Sequence, residues 1–235
     1  MSATLLPRRS EPTYALETRA LQEVGSWCYQ RGWTVGTSGN FSLVLSREPL
    51  RLLITASGRD KGRLGPGDFV VVDAAGLPVR PDMPKPSAET LLHVVAAQEL
   101  GIGAVLHTHS VWATLLSDLY FPAGVVWSGY EMLKGLAGVA THDTTLRLPI
   151  LDNTQNISAL AGTLTELLRQ NSHDLHWGFL LRRHGLYTWG RDLAEARRHL
   201  EVLEFLLEVT SRRLCLPSAP SEGAVHGHAP SPRHG

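Results

Sequence analysis

The spacing of apolar residues along the first third of the chain predicts one helix followed by several strands. From Thr13 to Arg31, apolar side chains recur every three or four residues, which places them on one face of a helix. Between Gly32 and Asp73 they instead form short β-rich runs separated by turns that contain glycine and proline. We therefore expect three strands, at Phe41 to Leu45, Leu50 to Thr55 and Phe69 to Asp73.

The rest of the chain alternates between helical and strand patterns. Ser87 is expected to cap a helix that runs to Leu100. A buried strand, Ala104 to Thr108, follows it, and Ser110 caps the next short helix. The remaining elements are expected at Val125 to Trp127 (strand), Tyr130 to Leu136 (short helix), Leu146 to Leu151 (strand), Asn156 to Gln170 (helix), Gly178 to Arg183 and Leu186 to Trp189 (strands), and from Asp192 onward (helix). This alternation predicts an α/β fold.

The length of 235 residues fits one large domain. We expect a flexible N-terminus over residues 1–12, a catalytic domain over residues 13–214 and a disordered tail over residues 215–235. Pro217 to Gly235 has almost no large apolar side chain, so burial cannot offset the entropy lost on ordering it. Its histidines, His226, His228 and His234, leave metal storage as an alternative to a plain low-complexity extension.

Charge and cysteine content exclude several classes of protein. The 22 Lys and Arg balance the 22 Asp and Glu, which argues against a nucleic-acid or anionic-membrane partner. The two cysteines, Cys28 and Cys215, lie too far apart in sequence to indicate a disulfide framework or a thiolate zinc site. The chain has no signal-peptide pattern before Pro12 and no run of about 18 apolar residues. We expect a soluble protein of the reducing cytoplasm.

Two histidines at the end of the predicted strand Ala104 to Thr108 are candidate metal ligands. His107 and His109 are two positions apart, so in a continuing strand both imidazoles point to the same face. His184 is the candidate third ligand, at a turn where Gly185 is expected to permit a tight reversal. Three neutral imidazoles with an open fourth position suit a Lewis-acid zinc, although ordinary partly buried histidines remain the alternative. His199, among charged residues of the last helix, is expected to face solvent.

Three loops rich in small residues are candidate phosphate sites. They are Gly36 to Ser42, Thr55 to Gly58, and Lys85 to Ser87. Such loops can turn backbone N–H groups and hydroxyls toward an anion, and the third precedes a predicted helix N-terminus. A plain turn is the alternative for each, but three together favour an anionic substrate.

Two carboxylates, Glu89 and Glu131, are the candidate acid and base groups. Each lies in or near a short predicted helix, so each also fits a surface helix residue. For Glu89 the electrostatic preference for negative charge in a first helical turn is a sufficient structural explanation.

In order and spacing these features resemble the class II aldolase and adducin-head family. The shared marks are Gly-x-x-Gly-Asn-x-Ser ending at Ser42, Ser57-Gly58, Pro86-Ser87-x-Glu89, His107-x-His109 and His184-Gly185. The resemblance extends from about Tyr14 to Arg213. It implies a three-layer α/β/α domain around a mainly antiparallel sheet, and a homotetramer with active sites at subunit interfaces.

The resemblance also implies roles for individual residues. His107, His109 and His184 would hold one zinc per subunit. Asn40, Ser57, Gly58 and Ser87 would bind the substrate phosphate, although this chain has Ala88 where family aldolases often have a second serine. Glu89 would act near the metal, as a ligand or a base.

Four further segments resemble the branch of the family that dehydrates a phosphorylated ketose. They are Ser57 to Gly62, Tyr130 to Gly135, Pro149 to Thr154, and Arg182 to Gly190. In that branch the glutamate that matches Glu131 is the acid and base group. A sugar-phosphate aldolase or 4-epimerase on the same metal site is one alternative. A non-catalytic scaffold of the adducin type is another, which the three intact histidines disfavour.

Overall fold

A computed structural model describes residues 14–170 and 173–217, so the expectations for residues 1–12 and for most of the C-terminal tail concern regions outside the described residues. Nine strands are present in these ranges: β1 (Asn40–Arg47), β2 (Leu50–Thr55), β3 (Phe69–Val72), β4 (Ala104–Thr108), β5 (Val125–Ser128), β6 (Thr145–Leu148), β7 (Ile150–Leu151), β8 (Gly178–Leu181) and β9 (Gly185–Gly190). Seven of them form one sheet in the order β3-β2-β1-β4-β9-β8-β7, and β5 and β6 pair separately. All neighbours in the main sheet are antiparallel except β7 and β8.

Five α-helices cover the two faces of this sheet: α1 (Ala15–Gln30), α2 (Thr90–Leu100), α3 (Val111–Leu119), α4 (Ile157–Arg169) and α5 (Leu193–Cys215). Helices α2 and α4 pack on one face, and α1, α3 and α5 pack on the other. Alternate strand residues contribute to the two cores, as Leu186 and Tyr187 do in β9. The predicted three-layer α/β/α architecture with a mainly antiparallel sheet is confirmed. Within the described ranges, none of the helices has the length and apolar character needed to cross a membrane.

Most predicted elements lie within a few residues of their expected bounds, and three differ in their start, continuity or helix type. Helix α2 begins at Thr90, not at Ser87, because the Thr90 hydroxyl donates a hydrogen bond to the Ser87 carbonyl (2.7 Å) and closes a turn ahead of the helix. Pro149 divides the predicted strand Leu146 to Leu151 into β6 and β7. The short helix expected at Tyr130 to Leu136 is a 3-10 helix, Glu131–Gly135.

The prediction that His199 faces solvent is wrong. His199 is 3% exposed, and its Nε2 accepts a hydrogen bond from the Ala137 N–H at 3.0 Å. Its Nδ1 lies 2.7 Å from the carbonyl oxygen of Trp189, which fixes the proton on Nδ1. The residue shares a helical face with Ala196 and Leu203, so its position on α5 decided its burial more than its charged neighbours in sequence did.

Candidate active site

Three histidines from two parts of the sheet converge on one point. His107 is the penultimate residue of β4, His109 follows that strand, and His184 lies in the turn between β8 and β9. The Nε2 atoms of His107 and His109 are 2.8 Å apart, and those of His109 and His184 are 3.1 Å apart. The structure therefore brings together all three histidines that the sequence singled out.

Two glycines allow the neighbouring segments to approach β4 this closely. Gly39 precedes β1 with φ +75°, and a Cβ there would lie 2.6 Å from the His107 carbonyl oxygen. Gly185 begins β9, where a Cβ would lie 2.0 Å from the carbonyl oxygen of Thr108. The tight reversal expected at Gly185 is instead made by Arg183, with φ +56°. Gly185 is required for close packing of the strands beside the histidines.

The ring of His107 is held in one orientation. Its Nδ1 lies 2.9 Å from the Leu186 carbonyl oxygen, so Nδ1 carries the proton and the Nε2 lone pair faces the cluster. Burial, with the nearby His109 and His184, holds the pKa of His107 well below its ordinary value. Burial, with His184 and Lys61, likewise lowers the pKa of His109 to about 4. Both rings are therefore neutral near pH 7, the form that binds a metal.

Glu89 completes the cluster with a carboxylate. Its Oε1 lies 3.1 Å from Nε2 of His184, and its Oε2 lies 3.5 Å from Nε2 of His107. One ligand atom from each of these four residues lies within 4.8 Å of the others. Imidazole nitrogen and carboxylate oxygen atoms are the donors that zinc and similar divalent ions bind, so this donor set fits a metal.

Asn40 links Glu89 to a buried polar chain beneath the site. Its Nδ2 donates to Glu89 Oε2 at 2.7 Å and to Ser87 Oγ at 3.0 Å. Its Oδ1 is hydrogen-bonded to Nε2 of His93, whose Nδ1 lies 2.8 Å from the hydroxyl oxygen of Ser42. Burial lowers the pKa of His93 to about 3, so this ring stays neutral and serves as a structural link.

A pocket of about 330 Å³ opens beside the cluster and contains the predicted phosphate contacts. Asn40, Ser57, Gly58 and Ser87 all line it. Lys61 and the segment 153–155 also line it, and sequence reasoning assigned no role to them. The only sequence signal for Lys61, Asn153 and Thr154 was their position inside two of the segments that resemble the dehydratase branch, and Gln155 directly follows the second of these segments.

Glu131 lies apart from this pocket in the single chain. It begins the 3-10 helix Glu131–Gly135, its side chain is 71% exposed, and it is absent from the described pocket lining. Its carboxylate pairs with Lys134 Nζ at 2.5 Å and with His142 Nδ1 at 3.1 Å. The hydrogen bond from Lys134 is the main cause of the lowered pKa of Glu131. The predicted acid and base residue is thus solvent-exposed and ionised in the single chain.

Residues 19–211 match the family described as Class II Aldolase and Adducin N-terminal domain. The chain belongs to this family. Among curated members, it is 47% identical over 198 residues to methylthioribulose-1-phosphate dehydratase of Marinobacter nauticus, a match that spans 83% of this chain and 92% of that protein. It is 48% identical over 191 residues to the protein of the same name from Xanthomonas campestris, spanning 80% and 85% of the two chains.

The class II aldolase fold is also seen in solved structures. YgbL of Escherichia coli, titled a putative aldolase/epimerase/decarboxylase, matches with a TM-score of 0.69 and 26% identity. The match covers 87% of this chain and 91% of YgbL. The family assignment expected from the sequence motifs is confirmed.

Proposed function

We propose that this chain is a methylthioribulose-1-phosphate dehydratase. It converts 5-methylthio-ribulose 1-phosphate to 2,3-diketo-5-methylthiopentyl 1-phosphate and water, a step of methionine salvage. The observation that carries this proposal is the 47% identity to a protein of that name over 92% of its length. The clustered histidines and Glu89 support it because the reaction needs a centre that stabilises developing negative charge.

His107, His109 and His184 are the residues that would hold a zinc ion, one per subunit. Zinc bound there would supply Lewis-acid stabilisation of the charge that develops on the C2 and C3 oxygens as the C3 proton leaves. Glu89 lies beside these histidines, held by Asn40, and positions the metal and the substrate.

The phosphate of the substrate would bind in the same pocket. Ser57, Gly58 and Ser87 offer hydroxyl and backbone N–H donors there, and Asn40 contributes through its Nδ2, which donates to Ser87 Oγ and so leaves the Ser87 hydroxyl proton free for the phosphate. Hydrogen bonds to a charged phosphate are stronger than neutral ones, so these contacts orient the ketose with its C2 to C4 atoms toward the histidines.

Dehydration requires two proton transfers that the residues of this chain must perform. A base removes the proton from C3, and an acid protonates the C4 hydroxyl so that it leaves as water. The enol that results takes up a proton at C4 and releases the proton of its C3 hydroxyl, which gives the 2,3-diketone. We assign the acid and base work to Glu131, and a supporting role to Glu89.

Glu131 reaches this chemistry only if a second subunit provides it, because within one chain it lies outside the pocket. A homotetramer with active sites at its subunit interfaces meets this requirement. The exposed, ionised carboxylate of Glu131 is suited to entering a neighbouring subunit's site. We place this assembly in the cytoplasm.

A class II sugar-phosphate aldolase or 4-epimerase is the second candidate. The E. coli YgbL structure, with its title of putative aldolase/epimerase/decarboxylase, is the observation that favours it. An aldolase would break the C3–C4 bond of a related substrate and would need the same charge-stabilising metal. A non-catalytic adducin-like scaffold is disfavoured by the complete donor cluster.

Removal and return of the metal test the proposal. Protein treated with a chelator should lose turnover of methylthioribulose 1-phosphate and should regain it with about one zinc per chain. His109→Ala should bind less zinc and remain inactive after zinc is added, with unchanged circular dichroism. Full turnover by the metal-free protein would contradict the proposed metal centre.

A further inference from the structure

Lys61 is a buried cation to which the proposed reaction gives no role. Its side chain is 1% exposed, although lysine is almost never fully buried unless its charge is paired. It begins the 3-10 helix Lys61–Arg63 and lines the same pocket as Glu89 and His109. A charged group in this position needs an explanation that the fold alone does not provide.

Backbone carbonyl groups, not a carboxylate, hold the ammonium. Nζ donates to the carbonyl oxygens of Thr37 and Arg59, each at 2.7 Å. Within residues 14–170 and 173–217, no carboxylate is in ion-pair contact with it, and Asp60 and Glu89 act on it only from further away. Burial therefore lowers the pKa of Lys61 to about 8, because a buried charge without a counter-ion is costly. Lys61 therefore contributes to the pocket lining a positive charge that has no ion-pair partner among the described residues.

The two carbonyls belong to two of the predicted phosphate loops. Thr37 lies in the loop Gly36 to Ser42, and Arg59 directly follows Ser57-Gly58. Thr37 has φ +67°, which a β-branched residue rarely adopts, and the hydrogen bond from Lys61 stabilises this conformation. An ammonium has three N–H donors, and the two carbonyls use two of them. Among the described residues the third N–H has no hydrogen-bond acceptor, and Lys61 lines the pocket together with Thr37 and Gly58 of the two loops.

A second polar group in the pocket is without a partner. The hydroxyl oxygen of Ser38 is buried and makes no hydrogen bond to any described residue. Ser38 lines the same pocket as Lys61. Buried hydroxyls are almost always hydrogen-bonded, so this one indicates a missing acceptor. A phosphate group, with several strong acceptor oxygens, satisfies a hydroxyl and an ammonium together.

We propose that Lys61 supplies the positive charge that pairs with the phosphate dianion of the substrate, with the Ser38 hydroxyl as an additional donor. The inference rests on the proposed function, which requires a phosphorylated ketose. It adds a positive charge to the predicted phosphate site, whose other contacts, Asn40, Ser57, Gly58 and Ser87, are all uncharged.

The alternative is that Lys61 only links the two loops through its hydrogen bonds. The affinity for phosphate distinguishes this structural role from a role in phosphate binding. We would measure the Kd of inorganic phosphate by calorimetry for the zinc-loaded wild type and for Lys61→Met. Loss of a hydrogen bond to a charged group should weaken phosphate binding about tenfold to a hundredfold. The Kd of unphosphorylated 5-methylthioribulose, measured by the same calorimetry, should change less than threefold.

Arg59→Met is the matched control. Arg59 is a cation two residues from Lys61 in sequence, but its side chain forms a partly exposed ion pair with Asp68 at 3.2 Å. The two variants change the net charge equally. We expect the phosphate Kd of Arg59→Met to stay within about twofold of wild type. The proposal would be overturned if Lys61→Met had an unchanged phosphate Kd. It would also be overturned if the affinities for phosphate and for the unphosphorylated sugar fell equally, because Lys61 would then have only a structural role.

A measurement on the wild type covers the case in which Lys61→Met does not fold. The chain has only three lysines, Lys61, Lys85 and Lys134, so protein labelled with carbon-13 at the lysine Cε has three such signals, assigned with Lys85→Arg and Lys134→Arg. Phosphate should shift the Lys61 signal and leave the Lys134 signal in place. A Lys61 signal that does not move at saturating phosphate would overturn the proposal. Neither experiment requires turnover, so phosphate binding through Lys61 in a chain that fails to dehydrate the substrate would contradict the proposed function alone.

Discussion

The ring of His107 lies stacked on the ring of Tyr187, with centroids 3.8 Å apart and planes inclined by 14°. The two residues are register partners on β4 and β9. Burial, and to a lesser extent Glu89, holds the pKa of Tyr187 well above its ordinary value, so the phenol is neutral. Tyr187 thus packs against the His107 imidazole and helps to keep it directed toward His109 and His184.

Tyr187→Leu should therefore weaken zinc binding. A leucine leaves the His107 ring free to tilt, and loss of a residue that orients a metal ligand typically costs about tenfold to a hundredfold in metal affinity. Competition with a chromogenic chelator measures this directly. Phe179→Leu is the control, because Phe179 stacks on Tyr187 with centroids 4.9 Å apart. Both variants lose a buried aromatic ring, so equal zinc affinities would contradict the role of Tyr187.

His93 should matter for stability more than for catalysis. His93→Leu leaves Ser42 Oγ and Asn40 Oδ1 without their buried partner, and each unsatisfied group costs about 1–3 kcal/mol. Urea unfolding should show a free energy of unfolding lower by about 2 kcal/mol or more. His93→Gln keeps a side-chain amide that can both donate and accept a hydrogen bond, so its free energy of unfolding should fall by less. Equal losses of stability in the two variants would count against the hydrogen-bonded link from Ser42 through His93 to Asn40.

The same residue predicts a component of acid sensitivity. The pKa of His93 is about 3 in the folded chain and 6.5 for the unperturbed side chain. Between these values the unfolded state binds a proton that the folded state excludes, so stability is lost as the pH falls from 6.5 toward 3. In His93→Gln the free energy of unfolding should fall less steeply between pH 6.5 and pH 3, by up to about 1.4 kcal/mol per pH unit. Parallel curves for wild type and variant would contradict the assignment.

The local pattern of the sequence predicted much of the histidine cluster that is the candidate metal centre. His107 and His109 at alternate positions of a buried strand required a common face, and the structure has one. The close approaches at Gly39 and Gly185 were not predictable in the same way, because each depends on a backbone carbonyl from a different strand. The burial of Lys61 was also not predictable, because a lysine between Asp60 and Gly62 is typical of a surface turn. Only the structure shows the loop carbonyl groups that bind its ammonium group.

The position of Glu131 is a further feature that the local sequence could not predict. Its segment resembles the dehydratase branch, but local sequence contains no information on which subunit's pocket the side chain enters. The single chain places it at the surface, paired with Lys134 and His142. Its catalytic role stays a prediction that depends on assembly.

Glu131→Gln should bind zinc normally and turn over about a hundredfold more slowly, within the range for loss of a positioned acid or base. Glu89→Gln should show a milder loss through positioning. If Glu131 acts in a neighbouring site, inactive Glu131→Gln and His109→Ala subunits that are unfolded and refolded together should regain activity. Sites that combine the histidines of one subunit with Glu131 of the other would then be complete. Absence of recovery in verified mixed oligomers would place both groups in the same subunit or remove Glu131 from the reaction.

The chemistry itself is tested most directly by identifying the product formed from methylthioribulose 1-phosphate by the zinc-loaded protein. We predict one phosphorylated product, lighter than the substrate by one water, with carbonyl carbons at C2 and C3 and a methylene at C4 in its carbon-13 spectrum. Cleavage between C3 and C4, seen as dihydroxyacetone phosphate and methylthioacetaldehyde, would contradict the dehydratase account and assign the site to an aldolase.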